Sequence, residues 1–152
     1  MNRRTLKIAV ALLALVPAGA WGAGILTKIG LSAHHAFKGG YVWNDNPSAT
    51  LGMPQTPNPL WNWNVSGAQN TVTRFATGYY QITFPNLGVR TGAGGTVGGN
   101  VQVGNYYTGA PVSCSVLGWN SYSPPDVTAD IVCFDTTTGA LTDSYFTALI
   151  TF

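Results

Sequence analysis

The chain has 152 residues, of which 8% are charged, 45% hydrophobic and 12% aromatic. So apolar a composition excludes a disordered chain, and so little charge leaves no basic patch for nucleic acid. The formal net charge of +2 is concentrated at the start, where Arg3, Arg4 and Lys7 stand together.

Those bases form an n-region, Ile8 to Leu15 form an apolar h-region, and Ala18, Ala20 and Gly22 offer small residues at the cleavage positions. The pattern predicts a signal peptide over residues 1–22, its apolar run being short of the roughly 20 residues a spanning helix needs. After cleavage Lys28, Lys38, Arg74 and Arg90 face Asp45, Asp126, Asp130, Asp135 and Asp143, four bases against five acids, for a net charge near −1. The expected destination is extracellular or periplasmic, with no membrane span in the mature chain. The length that remains fits one domain.

Residues 23–39 read as an N-terminal arm. Ile25, Leu26, Ile29 and Leu31 have roughly helical spacing, interrupted by Gly24 and Gly30. The pair His34-His35 lies here; a metal would need further ligands from elsewhere, so an exposed polar pair is expected, with neither metal nor cofactor.

A β-domain is predicted over residues 40–152. Gly40 to Asn44 reads as a first strand with Tyr41 and Trp43 on one face. Pro47, Pro54, Pro57 and Pro59 then punctuate a segment expected to lack regular structure. Trp61, Trp63 and Val65 alternate with Asn62 and Asn64, so the three apolar residues share a face. Two expectations stand for them: aromatics packed into the core, which is the plainer, or a platform on which a ligand stacks.

Thr71 to Phe84 reads as a hairpin. Ala76-Thr77-Gly78 fits a tight loop whose last residue needs positive φ, which Gly78 supplies without a Cβ clash. This register sets Val72 opposite Ile82 and Arg74 opposite Tyr80. Tyr80, Ile82 and Phe84 then face inward, Pro85 ends the strand, and Arg74 lays its stem over Tyr80. The glycine cluster of residues 88–99 lacks the strand, helix and lysine of a phosphate cradle and reads as a loop. Asn100 to Tyr107 follows as a strand aligning Val101, Val103 and Tyr107.

Val112 to Trp119 and Thr128 to Phe134 flank a turn-rich loop. Paired antiparallel, they set Cys114 opposite Cys133, Val116 opposite Ile131 and Gly118 opposite Ala129, which predicts a Cys114–Cys133 disulfide. Loop-closure entropy makes that bond worth about 3 kcal/mol. Asp135 to Gly139 is a turn with Asp143 just beyond; its spacing is not that of a calcium loop, and turn chemistry accounts for both aspartates. Ser144 to Phe152 is the last strand, aligning Phe146, Ala148, Ile150 and Phe152. About eight strands and no helix predict an antiparallel β-sandwich, with a jelly roll as the candidate topology.

The run from Asn70 to Arg74, then Thr77, Gly78, Tyr80, Ile82, Phe84, Pro85, Leu87 and Gly88, resembles a domain of secreted bacterial proteins, actinobacterial and myxobacterial in particular. The likeness continues through Gly98 to Val103, Cys114, Trp119, Val132 to Asp135, Gly139, Asp143, Ser144, Phe146 and Thr147. It implies secretion and a β-fold and brings no activity with it. The proline segment before Trp61 and the long glycine loop depart from the pattern. A looser likeness to the complement C1q-type jelly roll rests on the Gly78 to Phe84 strand and the terminal strand, and implies a trimer.

No catalytic constellation is legible. The only imidazoles are adjacent, and with no Glu any carboxylate pair must come from five scattered aspartates. The expectation is a non-catalytic binding module for a polysaccharide or cell-surface ligand. Its candidate contacts are Trp43, Trp61, Trp63 and Trp119 for stacking and Asn62 and Asn64 for hydrogen bonding. A self-assembling structural protein is the alternative, an oligomer being compatible with either, and a hydrolase ranks last.

Overall fold

A computed structural model describes residues 39–88, 99–106, 109–121 and 125–152. The signal segment, the arm with His34-His35, most of the glycine loop and Tyr107 lie outside the described residues.

Nine strands are present among the described residues: β1 (Gly39–Asn44), β2 (Pro54–Gln55), β3 (Asn62–Asn64), β4 (Thr71–Ala76), β5 (Tyr79–Phe84), β6 (Asn100–Asn105), β7 (Val112–Asn120), β8 (Val127–Asp135) and β9 (Phe146–Thr151). They form two antiparallel sheets, one of four strands in the order β3-β1-β9-β6 and one of five in the order β2-β4-β5-β8-β7. Only the β4–β5 and β7–β8 hairpins connect neighbours within a sheet; every other connection passes from one sheet to the other. The core lies between them. Val42, Val101, Phe146, Ala148 and Ile150 of the smaller sheet meet Val72, Tyr80, Ile82, Phe84, Val127, Ala129 and Ile131 of the larger, all buried.

The alternation of the sequence explains this packing directly. Along β5 and β8 every second residue is buried, and β9 does the same with Phe146, Ala148 and Ile150. The central hairpin has the expected register, Val72 opposite Ile82 and Arg74 opposite Tyr80, with a bulge between Arg74 and Ala76. Gly78 takes φ 68°, and a Cβ there would stand 2.4 Å from the Cys133 carbonyl oxygen, so position 78 is closed to any other residue. Cys114 and Cys133 are disulfide-bonded directly across β7 and β8.

Three local expectations are corrected. The proline segment is not wholly irregular, because Pro54–Gln55 pairs with β4 at the sheet edge, where proline's missing N–H has no ladder to interrupt. The Trp61 strand is shorter than its alternation suggests. Asn58 caps a 3-10 turn over Pro59–Trp61, its side chain accepting the Leu60 N–H, and only Asn62–Asn64 pairs with β1. Finally, β7 carries a bulge between Val116 and Gly118, so Gly118 stands opposite Asp130 and Trp119 opposite Ala129. That one-residue insertion turns Trp119 towards the inner side, where it packs against the core.

Candidate functional site

The outer face of the four-stranded sheet is the candidate site. Inward burial of Val42, Phe146, Ala148 and Ile150 obliges Tyr41, Trp43, Tyr145, Thr147 and Leu149 to point the other way. Register then sets these residues side by side. Trp63 lies opposite Tyr41, Tyr41 opposite Leu149 and Leu149 opposite Gln102; in the next row Trp43 lies opposite Thr147 and Thr147 opposite Gly104.

Trp43 is the hub. Its ring meets Trp61 edge-on at 6.5 Å and 88°, Tyr106 at 5.4 Å and Tyr145 at 6.4 Å, and the two tyrosines touch each other at 6.4 Å. Between these rings opens a cleft of about 220 Å³ lined by Tyr41, Trp43, Trp61, Tyr106 and Thr147. Trp61 is 51% exposed, Trp63 45% and Tyr106 52%, so the core expectation fails for Trp61 and Trp63, whose rings stand open to solvent. Burial raises the Tyr41 phenol above its ordinary value, and no charged side chain among the described residues lines the cleft.

The structure separates the sequence-predicted candidates. Trp43, Trp61 and Trp63 share this face. Trp119 lies in the other sheet and faces inward, for the reason the bulge gives. Asn62 and Asn64 are corrected as well: both are buried and their amides are already committed. Asn62 donates to the Asn70 carbonyl and accepts the Asn70 N–H. Asn64 donates to Asn70 Oδ1 and to the Pro85 carbonyl. Asn70, itself fully buried, donates through Nδ2 to the carbonyls of Tyr41 and Trp63 at 3.0 and 2.9 Å. The three asparagines therefore fasten β3 to β1 from behind and hold the tryptophans in front, as supports rather than contacts.

Tyr106 and Tyr145 are site residues that sequence reasoning missed. Alternation from Val101 and Phe146 already placed both on the outer face. What it lacked was the strand order that brings β6 and β9 beside β1. A second support is Asn105, which accepts the Cys114 N–H at 2.7 Å and donates to the Val112 carbonyl at 2.9 Å, tying the edge strand that leads into Tyr106 to β7.

The indole N–H of Trp43 is buried without a hydrogen-bond partner among the described residues. Trp119 shares this property away from the cleft, so the orphaned donor does not by itself mark the site.

All five carboxylates are engaged in structural hydrogen bonds. Asp45 accepts the Asn58 N–H, Asp126 the Asn86 N–H, Asp130 the Gln81 amide, and Asp135 the N–H groups of Thr137 and Thr138 within its own turn. Asp143 does most. It pairs with Arg74 at 2.6 Å, accepts the Gly78 N–H at 2.9 Å, and lies 2.9 Å from the Tyr80 hydroxyl. Partial burial of Asp143 opposes its ionisation, but the hydrogen bonds from Arg74, Gly78 and Tyr80 outweigh this and hold its pKa below the ordinary value. Burial first, and then the bond to Asp143, push the Tyr80 phenol well above its usual range. Asp143 is thus a clamp rather than an ordinary turn residue, and Arg74 reaches it across the hairpin. No group of three or more His, Cys, Asp or Glu side chains among the described residues could hold a metal ion.

The described residues define a β-rich fold of two packed antiparallel sheets, with an aromatic cleft on the smaller one. No family model, curated protein or solved structure matches the chain. No helix among the described residues is long and apolar enough to cross a membrane.

Proposed function

We propose that this is a secreted, non-catalytic glycan-binding module whose ligand stacks in the cleft of Trp43, Trp61 and Tyr106. The observation that carries the reading is the exposed aromatic cluster itself: four rings in contact on one sheet face, held by a buried amide network and lined by no charge among the described residues. Aromatic faces cover the C–H side of a pyranose, while the tyrosine hydroxyls and Thr147 serve the equatorial hydroxyls. Engagement of every aspartate in the fold supports a binding role over acid–base catalysis. The signal-like N-terminus, the resemblance to secreted bacterial domains and the disulfide support an oxidising, external location.

The test is quenching of tryptophan fluorescence with a panel of soluble neutral polysaccharides. The exposed Trp61→Ala substitution should weaken binding about 30-fold, the effect of losing a contact worth about 2 kcal/mol, with the folding midpoint unchanged. The control Gln81→Ala, on the opposite face, should leave binding intact. No spectral response to any glycan, together with a stable oligomer on size exclusion, would sink the reading. One observation favours that second reading of a self-assembling protein: β7 is a nine-residue edge strand with Leu117 63% exposed.

A further inference from the structure

A second depression adjoins the aromatic cleft. It measures about 300 Å³, and Tyr41, Gln102, Gly104, Thr147 and Leu149 line it. It shares Tyr41 and Thr147 with the first, so the two are continuous across the sheet. Their chemistry differs. The first is walled by indole and phenol rings; the second adds the Gln102 amide to the Thr147 hydroxyl, beside the backbone of β6 at Gly104. Among the described residues neither is lined by a charged side chain, so an anionic or cationic ligand would lose its hydration there without an opposite charge from them in return.

The first cleft, at about 220 Å³, is smaller than the roughly 300–1,000 Å³ of pockets that enclose a drug-sized ligand. Trp43 and Trp61 meet at 88°, so they form a corner rather than a flat shelf. A corner of this size accommodates one ring. A longer ligand finds the second depression next to it over Thr147, and Gly104 keeps that way clear. Gly104 is exposed and stands opposite Thr147, with no residue-104 side chain between the aromatic corner and the Gln102 side. A Cβ built there would stand 3.0 Å from Thr147 Oγ1. Its φ is not positive, so the backbone does not require glycine; what the glycine supplies is space.

Resting on the glycan reading above, we infer that the ligand is a neutral, linear oligosaccharide lying across the strands, with one unit stacked in the Trp43–Trp61 corner and the next hydrogen-bonded over Thr147 and Gln102. Gly104 is the residue that admits the second unit. Affinity therefore depends on chain length through Gly104 and on ring stacking through Trp61, and the two dependences separate.

The experiment titrates the full chain with cello-oligosaccharides and chito-oligosaccharides of one to six units, read by tryptophan fluorescence and calorimetry. The wild type should gain roughly tenfold in affinity from one unit to two or three and then level off. Gly104→Val should bind the single unit as the wild type does and lose the gain. Gln102→Ala, an exposed position that leaves the fold untouched, should lose part of it and tests the same subsite if Gly104→Val folds poorly. Equal affinity for all lengths in the wild type, or a gain that survives both substitutions, would overturn the two-subsite inference while leaving the glycan reading in place. Oligogalacturonate binding as tightly as the neutral oligomers would overturn the neutral assignment. Absence of any response by the wild type to every oligomer would overturn the glycan reading and this inference together.

Discussion

The outer face of the five-stranded sheet carries Thr71, Thr83, Thr128 and Asn120 in one cross-strand row, with Gln81 and Asp130 in the next. The outer face of the four-stranded sheet carries Trp63, Tyr41 and Leu149 in one row and Trp61 beside Trp43 in the next. Both faces arise from the same alternation over the same core, yet they stand differently towards water. On the first, side chains satisfy one another: Gln81 donates to Asp130 and Thr128 to Asn120. A partner docking over these rows would gain little; the exposed Phe75 ring, packed on Tyr79, lies beyond them at the hairpin end. On the second, apolar ring area stays in contact with water at about 25 cal/mol for each Å². Exposure alone does not single out a candidate site; clustered ring area that water disfavours, supported from behind, is the better ground for proposing one.

Three substitutions test how separate these faces are from the frame that carries them. The largest effect is expected at Gly78→Val. Positive φ and a Cβ 2.4 Å from the Cys133 oxygen combine strain with a backbone clash, so the loss should be about 4 kcal/mol or more. Urea denaturation should show an unfolded or barely folded chain; a near-native midpoint would contradict the packing of the hairpin against β8. Next is Asn70→Ala. It removes one buried partner each from the Tyr41 and Trp63 carbonyls and from the Asn64 amide, which keeps its bond to Pro85, at a cost of about 3 kcal/mol. Because β3 has only three residues, the same change should free Trp61 and Trp63, seen as a red shift of tryptophan emission and loss of glycan quenching before global unfolding. An unchanged spectrum would show that the platform stands without its support.

The smallest effect comes with acid. The folded pKa of Asp143 is depressed, so its stabilising contribution is fully present above the unfolded carboxylate pKa near 4 and is lost as pH falls through the folded value. The denaturation midpoint of the wild type should decline on the acid side, and Asp143→Asn should remove part of that decline while lowering stability at neutral pH. A parallel decline in the variant would assign the acid sensitivity to other groups.

The β4–β5 hairpin was legible because its glycine loop fixes the register within a few residues, and the Cys114–Cys133 pairing because two cysteines in successive antiparallel strands fell opposite one another. The bulge at Leu117 was not, since no residue type demands it, and it decided that Trp119 faces the core. The aromatic cleft was half legible. Trp61 and Trp63 stood out by alternation, but Tyr106 and Tyr145 join them only through pairings of β6, β9 and β1, which lie far apart in the chain. The inward turn of Asn62 and Asn64 was hidden for the same reason, because their partner Asn70 belongs to another loop.

The three-asparagine network has a further bearing on where such a protein can work. An amide neither gains nor loses a proton in ordinary media, and its hydrogen bonds carry no net charge for dissolved ions to screen. That network therefore has no acid limb and no ionic-strength limb of its own. The ionic clamp of Arg74 and Asp143 stands apart from it, securing the hairpin loop at Gly78. The hold of Asn62, Asn64 and Asn70 on β1 and β3 should stay constant from fresh water to brine.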